Sequence, residues 1–456
     1  MFSFRRMIVT TDWTRFEVHA RRVRRFSGPE GIAELGDDDY EMFMFSALGR
    51  HLFPNLKEIN WVNSTSPRRR LPLTFLFIGE SLISFKTSGG DLNRPTLSLS
   101  VLAALPHKCP NLTTLKIEDP AFSDLPLTVE VISSMIFLLP KLQTLVTGDL
   151  SMDAYRHLAS LPHLTHIELF FYRVSLPFPL LQDPSPFPGL KYLVLRSKSL
   201  SRCLEFITRV MHSLNRIEFV ELQYTIGVED WLDLTRKIRN HCNPSSLTRI
   251  RIKASLDFLV DVKDLLAGDP LVQIQHIRPL LEFRKLTHLT LQPTSRFEFD
   301  DIALEQIARA CPELQRLHLA SEGGPTVPKD HQAPTLSSLL VFAASCPHIL
   351  SLTYGIDATV PCETPISPRV YSSSLIELGV GASPIYDVAM VATFISDVLP
   401  ALRFIWFSGG DSFTEVQYIT KWSEVEKLHL AFTAVRDKEA ARLAAWQPKC
   451  SCSLNG

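Results

Sequence analysis

The sequence predicts an α/β solenoid of about 13–14 irregular repeats, most of them a short strand followed by a helix. Three observations predict it. One phrase of fixed spacing recurs along the chain. Stretches with apolar residues at 3- and 4-residue spacing lie between its copies. And 456 residues exceed what one ordinary core organises, whereas an array of repeats grows in one dimension.

The phrase is a small or apolar residue, Pro, any residue, Leu, two variable residues, Leu or Ile, a variable residue, then another apolar one. It reads Phe53-Pro54-Asn55-Leu56-Lys57-Glu58-Ile59, then Cys109-Pro110-Asn111-Leu112-Thr113-Thr114-Leu115. It returns at Leu139-Pro140, Leu161-Pro162, Phe187-Pro188, Cys311-Pro312, Cys346-Pro347 and Leu399-Pro400. Looser copies centre on Leu82, Leu214, Leu247, Leu286, Leu375 and Val425, and the segment Ile217–Leu222 can be framed in two ways. Successive copies lie 22 to 39 residues apart. Most gaps match the period of a leucine-rich repeat, about 20–29 residues, and the longer ones imply loop insertions.

Each part of the phrase has a physical reason. Its closing Leu-x-Leu alternates, so it forms a short strand with one face inward. The Pro stands just before that strand, where its missing N–H costs nothing and it ends the preceding helix. Ile302, Leu304, Ile307, Ala308 and Cys311 form the clearest helical stripe, opened by Asp300 and Asp301 at the end that favours negative charge. Leu97–Lys108, Thr128–Leu139, Ser201–Met211, Trp231–His241, Leu336–Ala344 and Val388–Leu399 read the same way. One strand and one helix cannot bury their apolar faces alone, so stacked copies share a core. The expected architecture is an open horseshoe, with a parallel sheet on the concave side and helices outside. Residues 1–45 are expected as a helical cap and linker, 46–440 as the solenoid and 441–456 as a tail. A doubly wound α/β domain also alternates strand and helix, but it has no need of the repeated Pro and paired leucines.

The 47 Lys and Arg against 48 Asp and Glu give a net charge of −1, so no global field draws in nucleic acid or an anionic membrane. No apolar run reaches the length of a membrane span, and Met1–Met7 is too short and charged for a secretory leader. The eight cysteines are scattered, with Cys109 and Cys311 at equivalent repeat positions, which fits buried thiols rather than a disulfide framework. These points predict a cytoplasmic or nuclear location. No cofactor or metal is expected.

The run from Phe299-Asp300-Asp301 through Leu304, Ile307-Ala308 and Cys311-Pro312-Glu313-Leu314 to Leu319 resembles the cysteine-containing leucine-rich repeats of F-box proteins. The copies at Cys109 and Cys346 look similar. Asp12-Trp13-Thr14-Arg15-Phe16 and Ala20-Arg21-Arg22-Val23-Arg24-Arg25-Phe26 resemble the link between F-box and repeats in mushroom-type fungal F-box proteins. The repeat resemblance spans about Phe53 to Leu430. It implies substrate recognition for a cullin-based (SCF) ubiquitin ligase, and no catalysis by this chain. Such proteins open on a helical F-box that docks on the ligase adaptor. Twelve residues precede Trp13, too few for that module, so adaptor binding requires an F-box upstream of Met1. The alternative is an interaction scaffold that works without a ligase.

A second resemblance points elsewhere. Gly409-Gly410-Asp411-Ser412-Phe413 is similar to the Gly-Asp-Ser block of a lipase-like hydrolase family, which would make Ser412 a nucleophile. That chemistry needs a base and an orienting acid. No Asp-x-x-His follows, and His429, the one later histidine, falls in an expected repeat strand, so a turn is the preferred reading. Cys450-Ser451-Cys452, His107-Lys108-Cys109 and His241-Cys242 lack partner ligands at metal spacing. Gly89-Gly90 and Gly323-Gly324 lack the surroundings of a phosphate loop.

The residues between inward leucines define the partner-binding face. They include Thr114 and Lys116; His166, Glu168 and Phe170; Tyr192, Val194 and Arg196; Arg249, Arg251 and Lys253; His288 and Thr290; Arg316 and His318; Phe404 and Trp406; and Lys427 and His429. Arg249, Arg251, Lys253, Arg316 and His318 form a basic patch, with Phe170 and Tyr192 on the earlier repeats. Phe404 and Trp406 are either an aromatic anchor or covered by the C-terminal tail. The expected partner is a protein segment that is acidic or phosphorylated. Arg21, Arg22, Arg24 and Arg25 are expected on an amphipathic helix whose apolar side holds Trp13, Phe16, Val23 and Phe26. With Arg68-Arg69-Arg70 they form a second basic feature, read as solvated and partly neutralised by Asp37-Asp38-Asp39.

Overall fold

The computed structural model describes residues 6–27, 42–43, 45–47, 49–62, 71–88, 95–118, 126–171, 178, 186–210, 217–226, 231–254, 271–293, 296–321, 324–325, 327, 333–362, 371–407 and 413–446. The chain forms two compact units. One is Met1–Gly227 with Asn240–Asn243, the other Val228–Arg239 with Pro244–Gly456.

The first unit carries eight parallel strands in chain order: β1 (Arg25–Ser27), β2 (Glu58–Val62), β3 (Ser84–Ser88), β4 (Thr114–Ile117), β5 (Thr144–Thr147), β6 (His166–Phe171), β7 (Tyr192–Ser199) and β8 (Phe219–Ile226). Its helices are α1 (Thr10–Ala20), α2 (Pro95–Lys108), α3 (Pro126–Phe137), α4 (Met152–Ser160) and α5 (Leu200–Val210). The second unit opens on most of α6 (Trp231–His241) and pairs six parallel strands in chain order. These are β9 (Arg249–Ala254), β11 (His288–Gln292), β13 (Arg316–Leu319), β14 (Ser351–Thr353), β15 (Glu377–Gly379) and β16 (Phe404–Trp406). A small second sheet pairs β10 (Val272–Gln273) with β12 (Phe297–Glu298), and the short α7 (Ile274–Ile277) follows β10. Then come α8 (Asp301–Ala310), α9 (Ser337–Ser345), α10 (Val388–Val398) and α11 (Phe413–Trp446).

The phrase explains the long run of parallel strands in each unit. The residue before its Pro accepts a hydrogen bond from the Leu three positions on, as in Leu112 N to Cys109 O, Leu314 N to Cys311 O, Ile349 N to Cys346 O and Leu402 N to Leu399 O, each 3.1 Å. The Pro thus fills the second position of a tight turn, where its fixed φ is favoured. The next repeat then locks on. Thr113 N and Thr114 N both donate to Ile83 O, and Gln315 N and Arg316 N both donate to Thr287 O. The inward positions are sealed: Leu115 and Leu193 are 0% exposed and Leu317 1%. One turn needs a particular residue. A Cβ on Gly189 would stand 2.5 Å from the Pro162 carbonyl oxygen, so only glycine fits between these two copies. Helices start on side-chain caps: Asp300 accepts from Ala303 N at 2.7 Å, and Asp387 from Met390 N at 3.0 Å. Parallel strands, all but β1 set by a copy of the phrase, with an alternating buried spine make each unit a stack of leucine-rich repeats.

The structure corrects four expectations. Val425 does not start a repeat strand. Phe413–Trp446 is one helix of 34 residues, reaching into the segment expected as a tail. The spacing Val425, Leu428, Leu430 imitates the phrase, yet the buried positions Trp422, Val425 and His429 are a helical stripe, while Leu430 is 49% exposed. Lys427 and His429 therefore belong to no sheet face. Near the start, α1 ends at Ala20. Arg21 and Arg22 form a turn, and Arg25 lies in β1, where its Nε sits 3.0 Å from Glu58 Oε2. That strand adds a rung inside the segment expected as cap and linker. Trp13 and Phe26 do turn inward, joined by Phe16, Phe53, Trp61 and Phe77 in one aromatic cluster. The phrase near Leu214 centres instead on Ile217, fully buried three residues before Val220, which pairs with Leu193. Leu214 itself, Asp37–Asp39, Arg68–Arg70, Gly89–Gly90, Gly323, Gly409–Ser412 and Cys450–Cys452 lie outside the described residues, as does most of each long insertion.

Candidate functional site

In each strand the residues between the spine positions point away from the core, and register aligns them into rows across the sheet. In the second unit one row runs Arg249, His288, Arg316, Ser351, Glu377, Phe404. The next runs Arg251, Thr290, His318, Thr353, Gly379, Trp406, and a short third pairs Lys253 with Gln292. Two rows thus bring the expected basic patch and the aromatic pair onto one face, at opposite ends. Arg251 and Arg316 are exposed, while Arg249, Lys253, His288 and His318 are half-buried.

The two histidines sit among these cations. Burial, with Arg249, Arg316 and Arg251 nearby, holds the His288 imidazole below its ordinary value. Burial and Arg251 do the same to His318, whose Nε2 lies 3.1 Å from Gln292 Nε2. His288 Nδ1 lies 2.9 Å from Thr287 Oγ1. Both rings are therefore mainly neutral at pH 7. An anion brought against them restores the charged form, so its binding takes up protons. The affinity of a glutamate-rich peptide is expected to rise several-fold as pH falls from 7.5 to 6, still above carboxylate titration. In His288→Gln/His318→Gln this rise is expected to vanish. Fluorescence anisotropy at each pH checks it; an unchanged slope in the double variant counts against the linkage.

Phe404 is 50% exposed and Trp406 62%, with ring centroids 6.3 Å apart and planes at 27°. Among the described residues, α11 covers the strand edge rather than these rings. Ile405 N donates to Glu426 Oε1 at 3.2 Å, and His429 Nε2 lies 3.0 Å from Leu402 O. Sequence reasoning did not single out Glu377 or Gln292. Alternation could have found both, since each occupies an outward position.

Phe170 and Tyr192 belong to the first unit and are already engaged. The Arg196 guanidinium lies 5.4 Å from the Phe170 ring centre, with its Nε 2.7 Å from Glu168 Oε1, and it donates to Gln223 Oε1 at 2.8 Å. Tyr192 stacks on His166 at 5.9 Å. Burial raises the Glu168 carboxyl, with Arg196 opposing and Glu118 and Glu221 adding to the rise. That face is a mixed-charge surface, unlike the basic rows of the second unit.

Other candidates resolve structurally. Cys109 and Cys311 are fully buried, and burial pushes both thiols up to about 12. His429 is 1% exposed and hydrogen-bonded within the α11 interface, where burial lowers its imidazole. Among the described residues no group of three or more metal-ligating side chains occurs, and no helix is long and apolar enough to cross a membrane.

No family model matches the chain, and no curated protein matches it. Some solved structures are similar to it at low identity. Rad7 of the yeast Rad7–Elc1 complex is 11% identical, covering 73% of this chain and 78% of its own at a TM-score of 0.36. The leucine-rich-repeat protein LegL7 of Legionella pneumophila is 12% identical, with 80% and 97% covered and a TM-score of 0.34. LIC12759 of Leptospira interrogans, also a leucine-rich-repeat protein, is 14% identical, with 75% and 77% covered and a TM-score of 0.35. The fold is a leucine-rich repeat on the strength of its own registers and spine.

Proposed function

We propose that the chain is a protein-interaction module, and that the outward rows of the second unit receive an acidic or phosphorylated protein segment. One observation carries this: Arg249, Arg251 and Lys253 on β9 and Arg316 on β13 gather around two histidines, and the rows of Arg249, Arg251 and Arg316 run in register to an exposed aromatic pair. Clustered guanidinium groups suit carboxylate and phosphate oxygens. Exposed Trp and Phe on a rigid sheet are the residue types that anchor protein interfaces. The finer reading follows the sequence resemblance. The module recognises substrates for an F-box-type ubiquitin ligase, in the cytoplasm or nucleus, and catalyses nothing itself.

The test has two arms. Affinity capture of the full-length protein is expected to bring down the ligase adaptor, and capture that retains protein partners while lacking the adaptor would reduce the reading to a free-standing scaffold. Partner capture is expected to fail in Arg249→Glu/Arg316→Glu. Capture of the same partners by that variant would refute the basic face.

A further inference from the structure

The second unit's face has two chemically opposite ends. At one end stand Arg249, Arg251, Lys253 and Arg316. At the other, Phe404 and Trp406 are flanked by carboxylates. Glu377 pairs in register with Phe404 from β15, and Glu426 of α11 holds the outer edge of β16 through Ile405 N. Two exposed rings between acidic groups favour a cation: the ring faces attract it, and the carboxylates add to the attraction. Ser351, Thr353 and Gly379 fill the ground between, with no further charge in these two rows. Among the described residues of these rows, the side chains between the two ends are short. Thr353 also lies against Gly379, where a Cβ would meet its Cγ2 at 2.8 Å, so a larger residue at 379 would push Thr353 outward.

Resting on the proposed face, we infer that it selects a bipolar segment: an extended peptide with a carboxylate or phosphate at one end and an Arg or Lys at the other. Strand spacing sets the separation. From Arg316 to Phe404 is three strand steps and from Arg249 five, about 14 to 24 Å at about 4.8 Å per step. An extended chain covers that in about four to seven residues. Aspartate, glutamate and phosphoserine share the chemistry of the first end; the aromatic end excludes a second anion.

The experiment uses synthetic serine–glycine peptides carrying one phosphoserine or a pair of glutamates, with one arginine placed two to ten residues away. Binding to the full chain is read by fluorescence anisotropy. Tightest binding is expected at a separation of four to seven. Replacing the arginine by glutamine should weaken it about 10-fold, and by glutamate further. Glu377→Gln and Trp406→Ala should each flatten the spacing dependence, while folded content by circular dichroism stays unchanged. Equal binding at every separation, or with arginine absent, overturns the bipolar inference. If such peptides still lose affinity in Arg316→Glu, the basic face stands without it. If no peptide binds and partner capture survives Arg249→Glu/Arg316→Glu, both fail.

Discussion

Replacing Trp422 by alanine is expected to cost the second unit about 3–5 kcal/mol, the usual range for emptying a fully buried aromatic site. Trp422 is 0% exposed and among the largest fully buried side chains. Its Nε1 donates to Ser383 O at 2.9 Å, and Ser383 Oγ in turn accepts from Ile356 N at 2.9 Å. The substitution therefore removes packing and leaves a buried carbonyl unpaired. It also loosens the helix that closes the sheet. α11 is held by Glu426 at Ile405 N, by His429 at Leu402 O, and by Arg436, which donates to Ser396 O and lies 2.9 Å from Asp397 Oδ1. Without it the edge of β16 presents unpaired backbone groups, a template for pairing with another chain. Urea unfolding and light scattering on Trp422→Ala check both effects. A native midpoint and a monodisperse sample would show that α11 contributes little.

The largest functional effect is expected from Arg316→Glu, which turns one charge of the basic rows into its opposite. Arg316 lies between His288 and Ser351 in its row and is exposed, so the change should leave the fold intact. A surface pair contributes about 0.2–1 kcal/mol. Reversal removes one attraction and adds a repulsion to an anionic ligand within reach of several groups. A loss of about 1.4–2.7 kcal/mol, or 10- to 100-fold in affinity, follows, and most of it should fade at high salt. Titration at low and at high ionic strength measures it. An affinity that does not depend on salt, or on residue 316, would move the anion site elsewhere.

The leucine spine was readable because burial forces a period. Leu112, Leu142, Leu164, Leu314 and Ile349 stand where the phrase puts them, each 0% exposed. The reading failed where two periods coincide. Val425, Leu428 and Leu430 satisfy the repeat phrase over six residues, and only the longer stripe from Trp422 to His429 reveals a helix. It failed again at Arg25–Ser27, three residues with no flanking phrase, made a strand by pairing with Glu58–Asn60. α4 escaped notice because Tyr155 and Leu158 make a short stripe, opened by a Ser151 cap. Site residues were legible as outward positions, since alternation fixes side. Their surroundings were not. That Arg196 covers Phe170, or that Glu377 stands beside Phe404, depends on which strands become neighbours and in what register.

The buried cysteines give the molecule its own stopwatch. Cys109, Cys203 and Cys242 lie in the first unit and Cys311 and Cys346 in the second, all buried and each pushed up to about 12. Thiolate is the reactive form, so none should alkylate until its surroundings open. After prior blocking of half-buried Cys362, iodoacetamide labelling followed by peptide mass spectrometry times the opening of each half separately. Trp422→Ala should hasten Cys346 while leaving Cys109 at its native pace.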